Sequence, residues 1–515
     1  MTAKRLDDRL ERVGEAELHL RNPWNIPTRI LANEEILIET VAINELQNVL
    51  RIQETVEAIS KNAPNFFEKE ANPSVREVVL TPDFHKGAGI PIGTVLATES
   101  FAIPQAIGND VNCGMRLMAT SFDVEQVRSQ RQHLETTLRH IFFEGGRNIP
   151  MTPKQREALI RDGLPGMLET SSQAKDQGLW QFVDKEEEET NLDFVHGKGG
   201  YATDAIYALE DYVQGSGGLS HDSFIGSIGG GNHFAEIQYV RKVLNGSAAH
   251  AWGLIEGQVV VMIHAGSLGL GHITGNYVLD VMKRIYPDNV PHPESGIYPL
   301  PFCKRFQSEF STFLTSLRNA ANFAFGNRFF LSLMIRRGLE TVIGPSPFRV
   351  IYDAPHNYMW EEELDDSPVY VHRKGATPAG GWPQMQETAY AHWGEPVIVP
   401  GSMGAPSYLL LGQGNREALC SACHGAGRAM SRGEAAKVDD EMLDAFLKEF
   451  CVVTALDPNR QDVKQRRDIL NKWRDELKKE APYAYKKITP VIETLIKNDV
   501  AQPVVELFPL MTVKS

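Results

Sequence analysis

The sequence predicts a single large domain of mixed α/β class, with helices decorating a sheet core. Short apolar runs alternate with glycine clusters from residue 227 onward, as buried strands joined by tight turns do. Longer stretches carry apolar residues three and four apart, the spacing of a helix with one buried face. No internal repeat, coiled-coil heptad or low-complexity tract interrupts the pattern. Length alone would allow about three domains, but the continuous alternation favours one, and 42% apolar residues supply a sizeable core.

In chain order, residues 1–32 read as irregular, because Pro23 and Pro27 break any helix. Residues 33–60 place Ile36, Val41, Leu46, Val49 and Leu50 at helical spacing. Residues 1–79 are therefore expected to be an N-terminal helical extension packed on a core of residues 80–515. A short β-like run at residues 76–80 ends at Pro82, and a glycine-rich passage of strands and tight turns continues to Met118. Asp123 caps a helix through Phe143, which Gly145 and Gly146 end. Residues 144–200 read as a loop-rich insertion or lid. VVVMIH from Val259 and RVIYD from Arg349 are the clearest buried strands, and helix fills residues 306–339. A strand at residues 396–399 precedes a small-residue turn, and residues 434–480 read as helix, with Pro482 and Pro490 punctuating the tail.

The net charge of −14 argues against a general nucleic-acid binder with a broad basic field. Most of that charge comes from two short blocks, DKEEEE from Asp184 and EEELDD from Glu361, so the global sign is a weak guide to any one surface. Five cysteines do not make a disulfide framework, the charged N-terminus lacks an apolar signal core, and no run of about 18 apolar residues could span a bilayer. The expectation is a cytoplasmic protein without a membrane partner.

The chemistry gathers at glycine-flanked strand ends. Asp110 and Cys113 lie three apart before Gly114. A glycine run ends at His233, His264 follows one buried strand, and His356 follows another. A rigid sheet can aim residues carried at such junctions. One carboxylate, one thiolate and three imidazoles suit two borderline divalent metals with the sulfur bridging, and paired metals suit phosphate chemistry. Taken singly, each is more often a packed thiol or a satisfied histidine; four junctions in one chain favour the site.

A second centre is SACHGAGRAMSR from Ser421. Gly425 and Gly427 admit close approach of a ligand, and a helix starting at Ala426 would offer phosphate its N-terminal N–H groups. Arg428 and Arg432 would then share one helical face and grip further phosphates, and His424 could attack phosphorus. The bland alternative is a glycine-rich turn with two solvated arginines. Cys420 and Cys423 lack a second pair, so packing explains them better than zinc. PGSMG from Pro400, with Ser402 and Ser407 as short donors, and HRKG from His372 could complete a nucleotide pocket.

These segments resemble the RtcB-type RNA ligases. The matching strings are PDFHKGAGIPIG from Pro82, GNDVNCGMRL from Gly108, GGGNHFAEIQ from Gly229 and HAGSLGLGH from His264. YDAPHN from Tyr352, HRKGAT from His372, PGSMG from Pro400, CHGAGRAMSR from Cys423, EAPYAYK and Lys514 follow in the family's order. The resemblance implies the family's own α/β architecture around a deep metal cleft. It implies ligation of RNA 3′-phosphate or 2′,3′-cyclic phosphate ends to 5′-hydroxyl ends, in RNA repair or tRNA splicing, using GTP and two Mn²⁺. Asp110, Cys113, His233, His264 and His356 would hold the metals, and His424 would take GMP from GTP and pass it to the RNA end. Asn232, Glu236, Asn357, Pro400, Gly401, Ser402, Met403, Ser407, Gly425, Ala426, Gly427, Tyr485 and Lys514 would line the guanylate pocket. Arg373, Lys374, Arg428 and Arg432 would meet RNA phosphates. An archease-like activator is a further partner the resemblance brings to mind.

The sequence departs from the pattern at Leu268, where the family carries an arginine expected near the RNA path, and in Ala405-Pro406-Ser407-Tyr408 after the PGSMG turn. Guanylylation residues are intact, so the first step is better supported than final joining. Three alternatives stay open: an end-capping guanylyltransferase, a two-metal RNA-end phosphoesterase needing neither His424 nor Lys514, and a non-catalytic RNA-end binder.

Overall fold

The computed structural model describes residues 6–515. Two sheets carry the chain. The first has seven strands in the order Leu10–Gly14, Glu17–Leu20, Thr28–Leu31, Ser74–His85, Ile92–Glu99, Ser367–Lys374, Asn357–Leu364. The second runs Arg349–Pro355, Gly114–Asp123, Gln258–Ala265, Phe234–Val243, Ala501–Val513, Ser407–Gly412, Pro396–Val399, with Cys451–Val453 parallel to Ala501–Val513. The mixed α/β expectation holds.

The strand Gln258–Ala265 shows why VVVMIH is apolar without alternation. Val259, Val261 and Ile263 face one core with Phe323 and Phe329, while Val260 and Met262 face a second core with Leu117 and Trp252. Side chains on opposite faces of one strand are both buried, so neither face selects polar residues. Phe323 and Phe329 belong to the helix Gln307–Val342, whose 36 residues cross the sheet and pack on the helices Arg131–Phe143, Pro153–Glu169 and Gly269–Ile285. Asp123 caps its helix as expected, in a capping box with Gln126.

Three segments differ from expectation. Residues 1–79, expected as a helical extension, are strand as well as helix over their described part, 6–79. Three short strands widen the first sheet, Thr28–Leu31 pairing parallel to Ser74–His85, and only then do helices Thr40–Leu50 and Ile52–Asn62 follow, split at Arg51. Pro23 and Pro27 lie between strands, where a missing N–H costs nothing. Residues 144–200 are largely helical. Pro153–Glu169 is capped by Thr152 and kinks at Gly163, whose φ of 70° is needed because a Cβ there would meet Gly199 O at 2.3 Å. Asp184 caps Lys185–Asn191, and Arg336 of the long helix lies 2.8 Å from Glu187. This packing makes the segment part of the core's wall rather than a lid. Residues 434–480 break into Asp440–Glu449, Gln461–Lys464 and Arg467–Glu480 around the strand Cys451–Val453.

Arg328, in the middle of the long helix, is fully buried. Its guanidinium donates to Asn112 O at 2.6 Å, Ala265 O at 3.0 Å, Asn112 Oδ1 at 3.1 Å and Asp353 Oδ1 at 2.8 Å. Asn112 precedes Cys113, Ala265 follows His264, and Asp353 lies three before His356. One side chain thus ties three strand ends together. Arg328→Met leaves Asp353 short of its buried partner and is expected to cost about 3–5 kcal/mol, read from the guanidinium unfolding midpoint.

Candidate metal and nucleotide site

Sheet register brings the strand-end residues to one place. Phe234 pairs with His264, His264 with Met115, and Pro355 with Gly114. His233, Cys113 and His356 flank those pairs by one residue. Gly114 permits the closest approach, since a Cβ there would lie 2.5 Å from Ala354 O.

The donor atoms form two groups, Asp110–Cys113–His233 and Cys113–His264–His356, each with its ligand atoms within 4.8 Å of one another. Cys113 Sγ belongs to both, 3.1 Å from His233 Nε2 and 3.2 Å from His264 Nε2. His264 Nε2 lies 3.3 Å from His356 Nε2, and His233 Nε2 lies 2.9 Å from Asp110 Oδ2. Nδ1 of His233 faces Ile228 O at 3.0 Å and Nδ1 of His264 faces Asn232 O at 3.2 Å. Those carbonyls hold the proton on Nδ1 and turn both Nε2 lone pairs inward, as metal-ligating imidazoles require. Burial drives His264 and His356 well below the ordinary imidazole range, so both are neutral donors. Burial, with the Asp110 charge beside it, pushes the Cys113 thiol well up; a bound cation would reverse that balance by favouring the thiolate. The donor set fits two metal ions sharing one sulfur.

Asp110 is aimed by its own loop. Burial would raise its carboxyl, but His233 and the Leu268 N–H, 2.8 Å from Oδ1, bring it below its ordinary value. Leu268 therefore serves through its backbone, at φ 53°, whatever side chain stands there. Asn357 braces the same loop, donating to Asp110 O at 3.1 Å and accepting from Gly375 N–H at 2.8 Å.

His424 sits against this cluster, its ring centroid 4.7 Å from His356 and 6.4 Å from His264. Its Nδ1 lies 2.6 Å from Asp83 Oδ2. Thr81 Oγ1 donates to the other Asp83 oxygen at 2.7 Å. Burial would raise Asp83, but His424 and Thr81 hold it below the usual carboxylate range. The contact, close but off the line of a hydrogen bond, turns Nδ1 toward the carboxylate and leaves Nε2 for a substrate. Reading the sequence missed Asp83, although it stands in the PDFHKG string.

The strand Ser421–Cys423 pairs with Ala376–Pro378 and delivers His424. No helix begins at Ala426. Gly427, at φ 73°, turns the chain against Asp83, where a Cβ would lie 2.1 Å from Asp83 O, and the next helix starts only at Arg432. Arg428 and Arg432 thus do not share a helical face. They converge instead on Glu480, at 3.2 and 3.1 Å, and Arg428 also stacks on the Tyr485 ring at 5.1 Å. Cys420 and Cys423 are free thiols, Cys423 fully buried.

A cavity of about 600 Å³ joins both centres. Besides the metal-type donors and His424 it is lined by Asn232, Glu236, Asn357, Pro400, Gly401, Ser402, Met403, Gly425, Ala426, Gly427, Tyr485 and Lys514, with Lys374, Arg428 and Arg432 at its walls. Ser407 stands behind the turn, accepting from Gly401 N–H at 3.2 Å and Gln238 Nε2 at 3.1 Å. Arg373 is elsewhere. It is buried on the opposite face of its strand from Lys374, bonded to Glu362, Ser421 and Leu419 O and stacked on Trp360. It lines a separate cavity and cannot reach a phosphate in the cleft. Glu236 is pushed up to about 7 by burial, and Lys514, which donates to Gly231 O and His233 O, is pushed down to about 8.

Because Cys113 Sγ serves both donor groups, Cys113→Ala is expected to lower divalent-metal binding at both, whereas His356→Ala removes a donor from one. Elemental analysis after equilibrium dialysis reads the difference.

Similarity to known proteins agrees with this geometry. The family described as tRNA-splicing ligase RtcB matches residues 69–515. A tRNA-splicing ligase RtcB of Thermococcus kodakarensis is 34% identical over 85% of this chain and 87% of its own. An RNA-splicing ligase RtcB homolog of Entamoeba dispar is 30% identical over 92% and 85%, and a tRNA-splicing ligase RtcB of Nanoarchaeum equitans 29% over 97% of each. With matched residues running through both donor groups, His424 and Lys514, the chain belongs to the RtcB family.

Proposed function

We propose that the chain is an RNA ligase of tRNA splicing or RNA repair, joining 3′-phosphate or 2′,3′-cyclic phosphate ends to 5′-hydroxyl ends with GTP and two Mn²⁺. The relatives' names support the ligase activity. The observation that carries the chemistry is His424, its Nδ1 fixed by Asp83 beside two donor groups that share Cys113.

His424 Nε2 attacks the α-phosphorus of GTP. A P–N bond forms, the bond to the bridging oxygen breaks, and pyrophosphate leaves. Asp83 stabilises the positive imidazole that results. An oxygen of the RNA 3′-phosphate then attacks the guanylyl phosphorus and frees His424; a cyclic phosphate is hydrolysed first. Finally the 5′-hydroxyl oxygen attacks the activated RNA phosphorus, loses its proton and displaces GMP. Mn²⁺ held by Asp110, Cys113, His233, His264 and His356 would supply positive charge to phosphate oxygens. Asn232, the Pro400–Met403 turn and the Gly425–Gly427 turn offer N–H and amide donors to the nucleotide, Tyr485 a ring face to guanine, and Lys374, Arg428 and Arg432 cations to RNA.

His424→Ala is expected to abolish the covalent adduct formed from labelled GTP while leaving Mn²⁺ binding intact; an undiminished adduct would sink the assignment. Adduct without joined RNA would favour the end-capping reading, and inactivity throughout would favour the non-catalytic RNA-end binder, for which Leu268 is the hint. Phosphate release without adduct would favour the phosphoesterase.

Guanine recognition has a pH window. Glu236 accepts from guanine N–H groups only when ionised, above about 7, and Lys514 carries its charge only below about 8. GTP affinity is expected to fall on the acid side as Glu236 takes a proton and on the alkaline side as Lys514 loses one. Calorimetric titrations across this range test it, and Glu236→Gln should remove the acid limb alone.

A further inference from the structure

Contacts divide the cavity lining into two groups. Tyr485, Arg428 and Arg432 gather on Glu480. Lys374 instead joins the loop that carries His85 to Ala88, donating through Nζ to Ile90 O at 2.8 Å at the foot of this loop. If the first group takes guanine, as proposed above, the second is left to meet an RNA end.

The loop is held from outside the residues that match the family. Glu45, on the helix Thr40–Leu50, accepts from Gly87 N–H at 2.7 Å with one oxygen and from Gly89 N–H at 3.4 Å with the other. Glu39, one residue before that helix, accepts from Lys86 N–H at 3.2 Å. The loop needs these acceptors because its turn is too tight to satisfy itself. A Cβ at Gly87 would lie 1.9 Å from Ile90 O, and Gly89 sits at φ 85°. A carboxylate beside an RNA entrance would repel phosphate if free, but two N–H donors share the charge of Glu45, and Glu45 also supports the charge of Lys374.

We infer that Glu45 is a positioning residue for the RNA end: by clamping the Gly87–Gly89 turn it fixes the wall that carries Lys86 and faces Lys374, so that an incoming RNA phosphate meets both cations. This inference rests on the ligase reading, and its test separates the two. Guanylyl-adduct formation is measured with GTP alone, RNA joining as KM and kcat, and binding of a 3′-phosphorylated and a 5′-hydroxyl oligoribonucleotide by anisotropy. Losing a charge-assisted clamp in Glu45→Ala is expected to raise the RNA KM and Kd about tenfold, with adduct rate and unfolding midpoint unchanged. Glu45→Gln, which keeps one acceptor oxygen, should recover part of the loss. Unchanged RNA binding in Glu45→Ala overturns the inference, as does an equal loss of adduct and joining, which would mark Glu45 as merely structural. Absence of adduct in the unmodified protein would instead overturn the ligase reading, and the anisotropy comparison would still decide the role of Glu45.

Discussion

A single buried guanidinium organises the donors. Arg328 reaches the carbonyl beside Cys113, the carbonyl beside His264 and the carboxylate of Asp353, three residues before His356. Asp353 also lies 3.2 Å from Arg116, so its charge is shared by two arginines. Burying such a group is costly unless every N–H finds an acceptor. Here each acceptor belongs to a segment that must be held still, so the desolvation cost is offset by bonds the site needs anyway. The strand Gly114–Asp123 can then carry Cys113 between two histidine-bearing neighbours without each junction needing its own brace. Long helix, sheet register and metal-type cluster are one construction, and the two cores on either side of Gln258–Ala265 keep it from shifting.

A similar logic fixes His424. Its strand is only three residues long, and the turn after it contains two glycines. Such a segment cannot position a side chain by itself. Asp83 does so from the first sheet, while the glycine turn folds against the same residue. His424 therefore sits between the two sheets: one supplies the orienting carboxylate, the other most of the metal-type donors.

What could be read from the sequence follows from how local each signal is. Cys113, His233, His264 and His356 stand beside glycine or close behind an apolar run, and Asp110 lies three residues before Cys113, so the group could be read together as a strand-end site although no member announces itself singly. Asp83 stands in the PDFHKG string, but its partner His424 is remote in sequence, so the string alone does not say what the carboxylate does. Arg373 and Lys374 look alike as neighbouring cations, but a strand sends successive side chains to opposite faces, and burial on one face took Arg373 out of the cleft. Glycine at 425 and 427 fits either a helix start or a turn, and only the contact with Asp83 selects the turn. Strands of four and five residues before residue 32 leave too short a pattern to set against two prolines. The acidic residues of 144–200 looked like loop because their partners, Arg336 and Arg116, lie far along the chain.

That last point bears on how an acidic protein can handle RNA. Part of the acidic charge in the two blocks is paired where it stands. Glu187 faces Arg336, and Glu188 lies 3.8 Å from Arg116. Glu362 holds Arg373, and Asp365 lies 3.2 Å from Arg416. The two acidic blocks that dominate the sequence charge are thus partly ion-pair acceptors, each set around an arginine that braces a strand or the long helix. The cavity wall is different. Lys374 and Lys514 meet chiefly backbone carbonyls there, and Arg428 and Arg432 share the single carboxylate of Glu480. Carbonyls and a shared carboxylate leave positive charge over for phosphate, while paired glutamates leave none. Screening at physiological salt confines such local charge to about 8 Å, so an acidic exterior and a cationic cleft can coexist in one molecule, and the sign of the whole protein does not decide the sign of the cavity.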